Sequence, residues 1–276
     1  MRSRSITKLL GCLAAAVLGA ALVAPAANAD TPKSGFEQFT GCPSSKENPN
    51  SELCTRTVIT GGSFKMGNKN VPITNPITIV AGSDIEFNGF YTNAKGGMSK
   101  AAQTVPGGVV GLTGLTWLLE HFGVNALSLY ATTELAGTPD LNPFAEPIEI
   151  PIKVHLTSPS GVLGKNCYIG SDSNPIWLNL TTGTTNPPPP NKPISGTSPE
   201  VQFLPSGIVR FQNGTFVDNS FAAPGANGCV LTLFGFIPVS INGLVNLQSG
   251  LPSAAGNNST TQHFNIEAAE ESLVYG

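Results

Sequence analysis

The chain has 276 residues, a formal net charge of −3 and only 11% charged residues, against 31 glycines and 23 prolines. So sparse and acidic a charge set gives no electrostatic footprint for nucleic acid and no basic cluster to hold the chain on an anionic membrane. Abundant glycine and proline with few charges suit many short strands joined by turns.

Residues 1–29 read as a cleaved signal peptide. Arg2, Arg4 and Lys8 form a basic start, Leu9 to Val23 an apolar run, and Ala27-Asn28-Ala29 a small-residue cleavage site. Ser3 separates the arginines, so the twin-arginine pattern is absent. Leu9-Leu10-Gly11-Cys12 comes too early for a lipoprotein box, because the apolar run continues past it. Cleavage before Asp30 removes three of the 14 basic residues and none of the 17 acidic ones, leaving 11 against 17 and a charge of −6. No later stretch is an uninterrupted apolar run of membrane-spanning length, so no transmembrane span is expected after cleavage.

Four cysteines remain, Cys42, Cys54, Cys167 and Cys229. An even count in an exported chain reads as two disulfides. Three connectivities are open, and local spacing favours Cys42–Cys54 with Cys167–Cys229. There is no C-x-x-C, and His121, His155 and His263 are isolated in sequence, so neither a metal nor a cofactor is expected.

Residues 30–60 read as a polar arm pinned by Cys42–Cys54, and 61–276 as a single β-sandwich domain. Arg56–Thr60 is a first short strand, with turns at Gly61-Gly62 and Gly67-Asn68. Ile73–Val80 is strand-like but interrupted by Asn75-Pro76. Asp84–Tyr91 alternates as a strand does. Leu112, Leu115, Leu118, Leu119 and Phe122 recur at helical spacing and predict one helix within Val105–Gly123, stopped by Gly123. Such a helix covers one end of a β core, or acts as an apolar flap or membrane-touching element; the absence of Lys and Arg from its polar face favours the first. Ala126–Leu135 returns to strand character.

Ile148–Leu156 is the clearest strand. Ile148, Ile150, Ile152, Val154 and Leu156 share one face, and Glu149, Pro151, Lys153 and His155 the other. Pro151 argues for an edge or a bulge. Ile176–Leu180 is a further strand, turning Trp177 and Asn179 away from Ile176, Leu178 and Leu180. Thr181–Pro193, with four consecutive prolines, favours an extended polyproline path. Enclosed by Cys167 and Cys229, it reads as a crossover within one fold rather than a free linker. Asn213-Gly214 predicts a hairpin within Gly207–Val217. Cys229–Ile241 is an apolar strand region broken at Pro238. Leu244–Leu247 is ambiguous, 249–261 a loop, Gln262–Ile266 a last strand, and Glu267, Glu270 and Glu271 an exposed tail. The fold class expected is mainly β, an antiparallel β-sandwich with one short helix and long Pro/Gly-rich loops.

Catalytic patterns are thin. Ser253, in Gly250-Leu251-Pro252-Ser253-Ala254-Ala255-Gly256, misses the G-x-S-x-G spacing of a nucleophile elbow; a triad with one of the histidines remains an alternative, because triads assemble on many folds. Glu146 with Glu149, or Asp84 with Glu86, would have to serve as a glycosidase pair. Asp172-Ser173-Asn174 and Asp140-Leu141-Asn142 offer oxygen ligands without EF-hand spacing, and turn chemistry explains them too. Trp177, Trp117, Tyr91 and Tyr168 could stack on sugar rings or simply pack.

Several segments together form a pattern: Cys42-Pro43, Gly61-Gly62-Ser63-Phe64-Lys65-Met66-Gly67, Ala131-Thr132-Thr133-Glu134-Leu135-Ala136-Gly137, Asn166-Cys167-Tyr168-Ile169-Gly170-Ser171, Leu180-Thr181-Thr182-Gly183-Thr184-Thr185 and Gly225-Ala226-Asn227-Gly228-Cys229. In these the chain resembles a group of exported actinobacterial proteins of unknown function, sometimes loosely labelled esterases. The resemblance implies export and carries no functional residue. The expected function is therefore that of an exported, non-catalytic extracellular or cell-envelope protein, with a face for a cell-surface glycan, lipid or protein. The alternatives are a secreted esterase-like serine hydrolase, and an apolar-ligand carrier with a cleft beneath residues 105–123.

Overall fold

The computed structural model describes residues 30–142, 147–233 and 236–276; the signal-peptide reading of 1–29 and the candidate Glu146 fall outside them. The elements in chain order are β1 (Leu53–Met66), β2 (Lys69–Pro72), β3 (Ile77–Ser83), β4 (Gly97–Met98), β5 (Ala102–Thr104), α1 (Gly108–Thr113), α2 (Leu118–Phe122), β6 (Tyr130–Leu135), β7 (Ile148–Thr157), β8 (Tyr168–Ile169) and β9 (Ile176–Leu180). They continue with β10 (Glu200–Phe203), β11 (Val209–Asp218), β12 (Ala226–Asn227), β13 (Val230–Leu233), β14 (Ile237–Ser240), α3 (Asn242–Ser249), β15 (Ser259–Glu270) and α4 (Glu271–Tyr275).

Two antiparallel sheets pack face to face without closing. One has the order β10-β11-β15-β1-β3-β4, with β2 hairpinned onto β1; the other runs β12-β8-β7-β6-β5, with β9 on β7. The main core lies between them, where Ile150, Ile152, Val154 and Leu178 of the second sheet face Met66, Phe216 and Phe264 of the first. The stacked rings of Phe216 and Phe264, 3.7 Å between centroids, sit on neighbouring strands β11 and β15. No described helix is long and apolar enough to cross a membrane.

The strand alternation of Ile148–Leu156 and Ile176–Leu180 appears as read, with each apolar phase buried. Pro151 nevertheless lies in a strand with neighbours, not at an edge. It sits opposite Trp177 of β9, and β6 ends opposite Ile152, so on that side only the carbonyl is used, accepting from Ala136 N–H at 3.0 Å.

Several expectations are corrected. Gly61-Gly62 is not a turn: β1 runs through it for 14 residues, and the extra residue Thr60 is absorbed as a bulge against β15. The boundary expected at residue 60 therefore falls inside a strand. Asp84–Tyr91 is a turn rather than a strand, because Asp84 Oδ1 accepts from the N–H groups of Glu86 and Asn88 at 3.0 and 2.8 Å. The single helix of 105–123 is two short ones, because Gly114 at φ 74° closes α1, donating to Val110 O. Asn213-Gly214 makes no hairpin; β11 is continuous there and bulges, with Asn213 at φ 60° and its N–H on Asn265 Oδ1 at 2.9 Å. Pro238 makes no break: it lies within β14, opposite Thr232 of the antiparallel partner β13, and Leu244–Leu247 belongs to helix α3. The last strand is longer than expected and begins inside the expected loop, at Ser259.

The acidic tail is not simply exposed. Glu267 binds Arg210 at 2.8 Å and lies 3.6 Å from Arg56; Glu271 is buried and accepts from Ser45 N–H at 2.6 Å.

The disulfides join Cys42 to Cys54 and Cys167 to Cys229, the pairing that local spacing favours. The first anchors the arm, whose Phe39 packs with Ile208, Ala269 and Val274. Tyr275 closes this cluster by donating to Cys42 O at 2.6 Å. Burial, and then the negative charges of Glu47, Glu271 and Asp30, push its hydroxyl up to about 12. Below the ordinary value of 10.0 the phenol is protonated both folded and unfolded, and its contribution is whole. Between there and about 12 the unfolded chain gives up the proton first, so stability falls as pH rises through that window. Chemical denaturation from pH 9 to 12 should show this alkaline loss, and Tyr275→Phe should flatten the part due to this residue.

The Pro-rich crossover carries the chain from β9 in one sheet to β10 in the other, and it is tied down along its length. Thr181 pairs with Val217, Thr184 with Ser195 and Thr197 with Thr215. Asn191 donates to Asn219 O at 2.8 Å and Asn258 O at 2.7 Å, and Asn219 donates back to Lys192 O at 2.7 Å.

Candidate functional site

The site begins with strand alternation. The inward phase of β7 meets the inward phases of β1 and β3 across the sandwich, and the side chains there leave a cavity of about 60 Å³. That is room for a few water- or methylene-sized groups. Its walls are apolar: Ile59, Phe64 and Met66 from β1, Ile77 and Ile79 from β3, and Ile150 and Ile152 from β7. Four lining residues, Phe64, Val71, Met98 and Thr133, are only half-buried and bring the cavity to the surface. None of the lining residues lies within 105–123, so this cavity is not the cleft expected beneath that stretch; Val109, Leu112 and Leu118 instead fill the core from that side.

Two glutamines enter the apolar lining, and they differ. Gln103 is fully used: its Oε1 accepts from the N–H groups of Thr74 and Asn75 at 2.8 and 2.9 Å, and its Nε2 donates to Asn75 O at 2.7 Å. Gln262 is 5% exposed and has one bond, from Nε2 to Thr260 Oγ1 at 3.2 Å. The Thr260 hydroxyl in turn donates to Ser63 O at 3.1 Å. Gln262 Oε1 is buried without a partner. Gly62 stands opposite Gln262 on β1 and offers no side chain to satisfy it.

The outer face of the second sheet gathers a polar cluster. Lys153 donates to Asp172 at 2.6 Å and lies 5.5 Å from the Tyr168 ring centroid. His155 stacks on Tyr168 at 4.3 Å, with Nδ1 3.7 Å from Glu134 and Nε2 3.0 Å from Lys165 O. A carbonyl only accepts, so Nε2 carries the proton. The hydrogen bond to Asp172 raises the Lys153 pKa, and burial raises that of Tyr168. Each group is engaged with another of the same cluster, and no serine or cysteine stands beside His155 in these contacts.

The other candidates are dispersed. Ser253 lines an open groove with Trp177, Asn174, Asn179 and Pro224, and no histidine or carboxylate lines it. Its backbone pairs with Ala223. His263 Nδ1 is 3.1 Å from Thr215 Oγ1, and His121 packs edge-on against Phe122. Glu149 is exposed on the outer face of β7, while Asp84 caps its own turn. Asp172 is taken by Lys153, and Asp140 caps Asn142 N–H at 3.1 Å. Among the described residues no three His, Cys, Asp or Glu side chains converge as a metal site requires. Trp117 and Trp177 are about half exposed, at 46% and 51%, and only Trp177 lines the groove of Ser253; Tyr91 pairs with Gly82.

No family model, curated protein or solved structure matches this chain.

Sequence reasoning missed the cavity residues Gln262, Met98 and Gln103. For Gln262 a signal existed: it shares the phase of Phe264 along β15, a polar side chain in the apolar register.

Proposed function

We propose that the protein is an exported, non-catalytic binding protein that seats an apolar molecule, or the apolar end of one, between its two sheets. The observation that carries this reading is the cavity: a largely apolar space within the sandwich, reached through half-buried Phe64, Val71, Met98 and Thr133. The paired cysteines fit an oxidising compartment outside the cell. The esterase alternative has no comparable support, since the groove at Ser253 brings it neither a general base nor a carboxylate.

The test is thermal melting and calorimetric titration with 1-propanol, a chain short enough for the space. Saturating 1-propanol should raise the melting temperature, and binding should show a negative heat-capacity change from apolar burial. Met98→Trp, which adds bulk at the mouth, should weaken binding at least tenfold while leaving the fold intact by circular dichroism. An unmoved melting temperature, together with retention of the wild type but not Trp177→Ala on isolated cell walls, would replace this reading with surface recognition at the Trp177 groove.

A further inference from the structure

The open groove at Ser253 has a volume of about 670 Å³, against about 60 Å³ for the cavity between the sheets, and among the described residues the two share no lining side chain. Its size falls within the roughly 300–1,000 Å³ of small-molecule sites. One wall is the outer phase of β9, with Trp177 and Asn179, and Asn174 from the turn before it. The other is residues 220–224 and 252–255, mostly alanine and proline. The walls are tied together from beneath. Asp218, wholly buried, accepts from Asn179 N–H at 2.8 Å on one wall and from Ser220 N–H and Oγ at 2.8 and 2.7 Å on the other. Ala223 and Ser253 exchange both backbone bonds at 2.9 and 2.8 Å, and Asn258 Nδ2 donates to Phe221 O at 2.9 Å and Ala254 O at 3.1 Å. A groove fixed in this way asks little ordering of its walls when a ligand enters.

We propose that this groove is a second binding site, for a neutral saccharide whose ring lies on the Trp177 indole and whose hydroxyls bond to Asn174 and Asn179. A sugar ring carries C–H groups on its face, hydroxyls at its rim and no charge. Trp177, 51% exposed, supplies a rigid apolar face. Asn174 and Asn179 bond to the protein through their backbones, which leaves both side-chain amides to act as donors and acceptors. Among the described residues no charged side chain lines the groove. Glu149, exposed opposite Asn179 on β7, would repel an acidic sugar. A proline-rich peptide also packs on indoles, but it docks between several aromatic rings. Here Trp177 is the one exposed ring, since Phe221 is buried against Phe64. The site goes beyond the apolar-ligand reading and stands without it.

The experiment titrates the wild-type protein by calorimetry with the neutral trisaccharides of glucose, mannose, galactose and N-acetylglucosamine, with trigalacturonate and with decaproline. Because the chain has two tryptophans, Trp117→Phe leaves Trp177 as the sole emitter. At least one neutral trisaccharide should bind the wild type and shift the Trp177 emission of that variant. Trp177→Ala, a surface change, should weaken the binding by about tenfold or more with an unchanged circular dichroism spectrum. Binding of none of the four neutral sugars overturns the proposal, as does binding of decaproline alone. Sugar binding that survives Trp177→Ala, or leaves the Trp177 emission unmoved, overturns the placement in this groove. Trigalacturonate binding as tightly as the neutral sugars overturns the requirement for neutrality. None of these outcomes depends on whether 1-propanol enters the cavity.

Discussion

Replacing Cys167 and Cys229 together with alanine is expected to lower the unfolding free energy by about 4 kcal/mol, from the chain entropy that a bridge across 62 residues removes from the unfolded state. Most domains have only about 5–15 kcal/mol in total, so this is a large share. Both half-cystines are fully buried in the main core, which adds a loss of packing to the loss of the bridge. The bridge also links separate parts of the fold: Cys167 O accepts from Leu156 N–H of β7, and Cys229 N–H binds Asn242 at the start of α3. The Cys42–Cys54 bridge closes a loop of 12 residues and should contribute about 3 kcal/mol. Urea unfolding of the two double variants measures both. A Cys167/Cys229 variant within 1 kcal/mol of the wild type would show that the bridge is not the source of stability argued above.

Gly62→Ala and Gly61→Ala should part company sharply. A Cβ at Gly62 would lie 1.9 Å from Thr261 O on the neighbouring strand, and φ there is +117°. Both atoms belong to backbones of central strands, so no flexible side chain can yield. The expected loss is about 3–5 kcal/mol, a fall of roughly 10 °C in melting temperature. At Gly61 the nearest heavy atom to such a Cβ is His263 Cδ2 at 3.7 Å, an ordinary contact. That substitution should stay within about 1 kcal/mol. Equal melting temperatures for the two variants would remove the close approach of β1 and β15 from the account.

The same pair of residues shows what was legible in the sequence. Gly-Gly and Asn-Gly both announce backbone that other residues avoid. Whether that backbone reverses the chain or merely bulges depends on the partner strand. At Gly61-Gly62 and at Asn213-Gly214 the partner is β15, a strand far away in sequence, and both sites bulge against it. Ile148–Leu156 was readable because its burial follows from its own alternation. Asp84–Tyr91 alternates nearly as well, yet the Asp84 carboxylate captures two backbone N–H groups and wins locally. The helical stripe of 112–122 was real in part: Leu112 and Leu118 are buried, but Gly114 breaks the period and leaves Leu119 and Phe122 outside.

The candidate site was less legible than the fold. Ser253 and the histidines were chosen by residue type, and in the structure His121, His155 and His263 each have other neighbours and none lines the groove of Ser253. The cavity depends on which inward side chains of two distant sheets fail to meet, and no local pattern encodes that. Gln262 shows itself as a polar lining residue only when β1, β11 and β15 are brought together.

The proline-rich crossover lies wholly between Cys167 and Cys229. Where a protein meets proteases, an extended surface segment is where they cut. A nick anywhere in that segment would leave the two fragments covalently joined, and Asn191 and Asn219 would still hold the new ends against the sheet. Such damage would be silent until a reductant opened the bridge. The molecule is thus built to be cut once without coming apart.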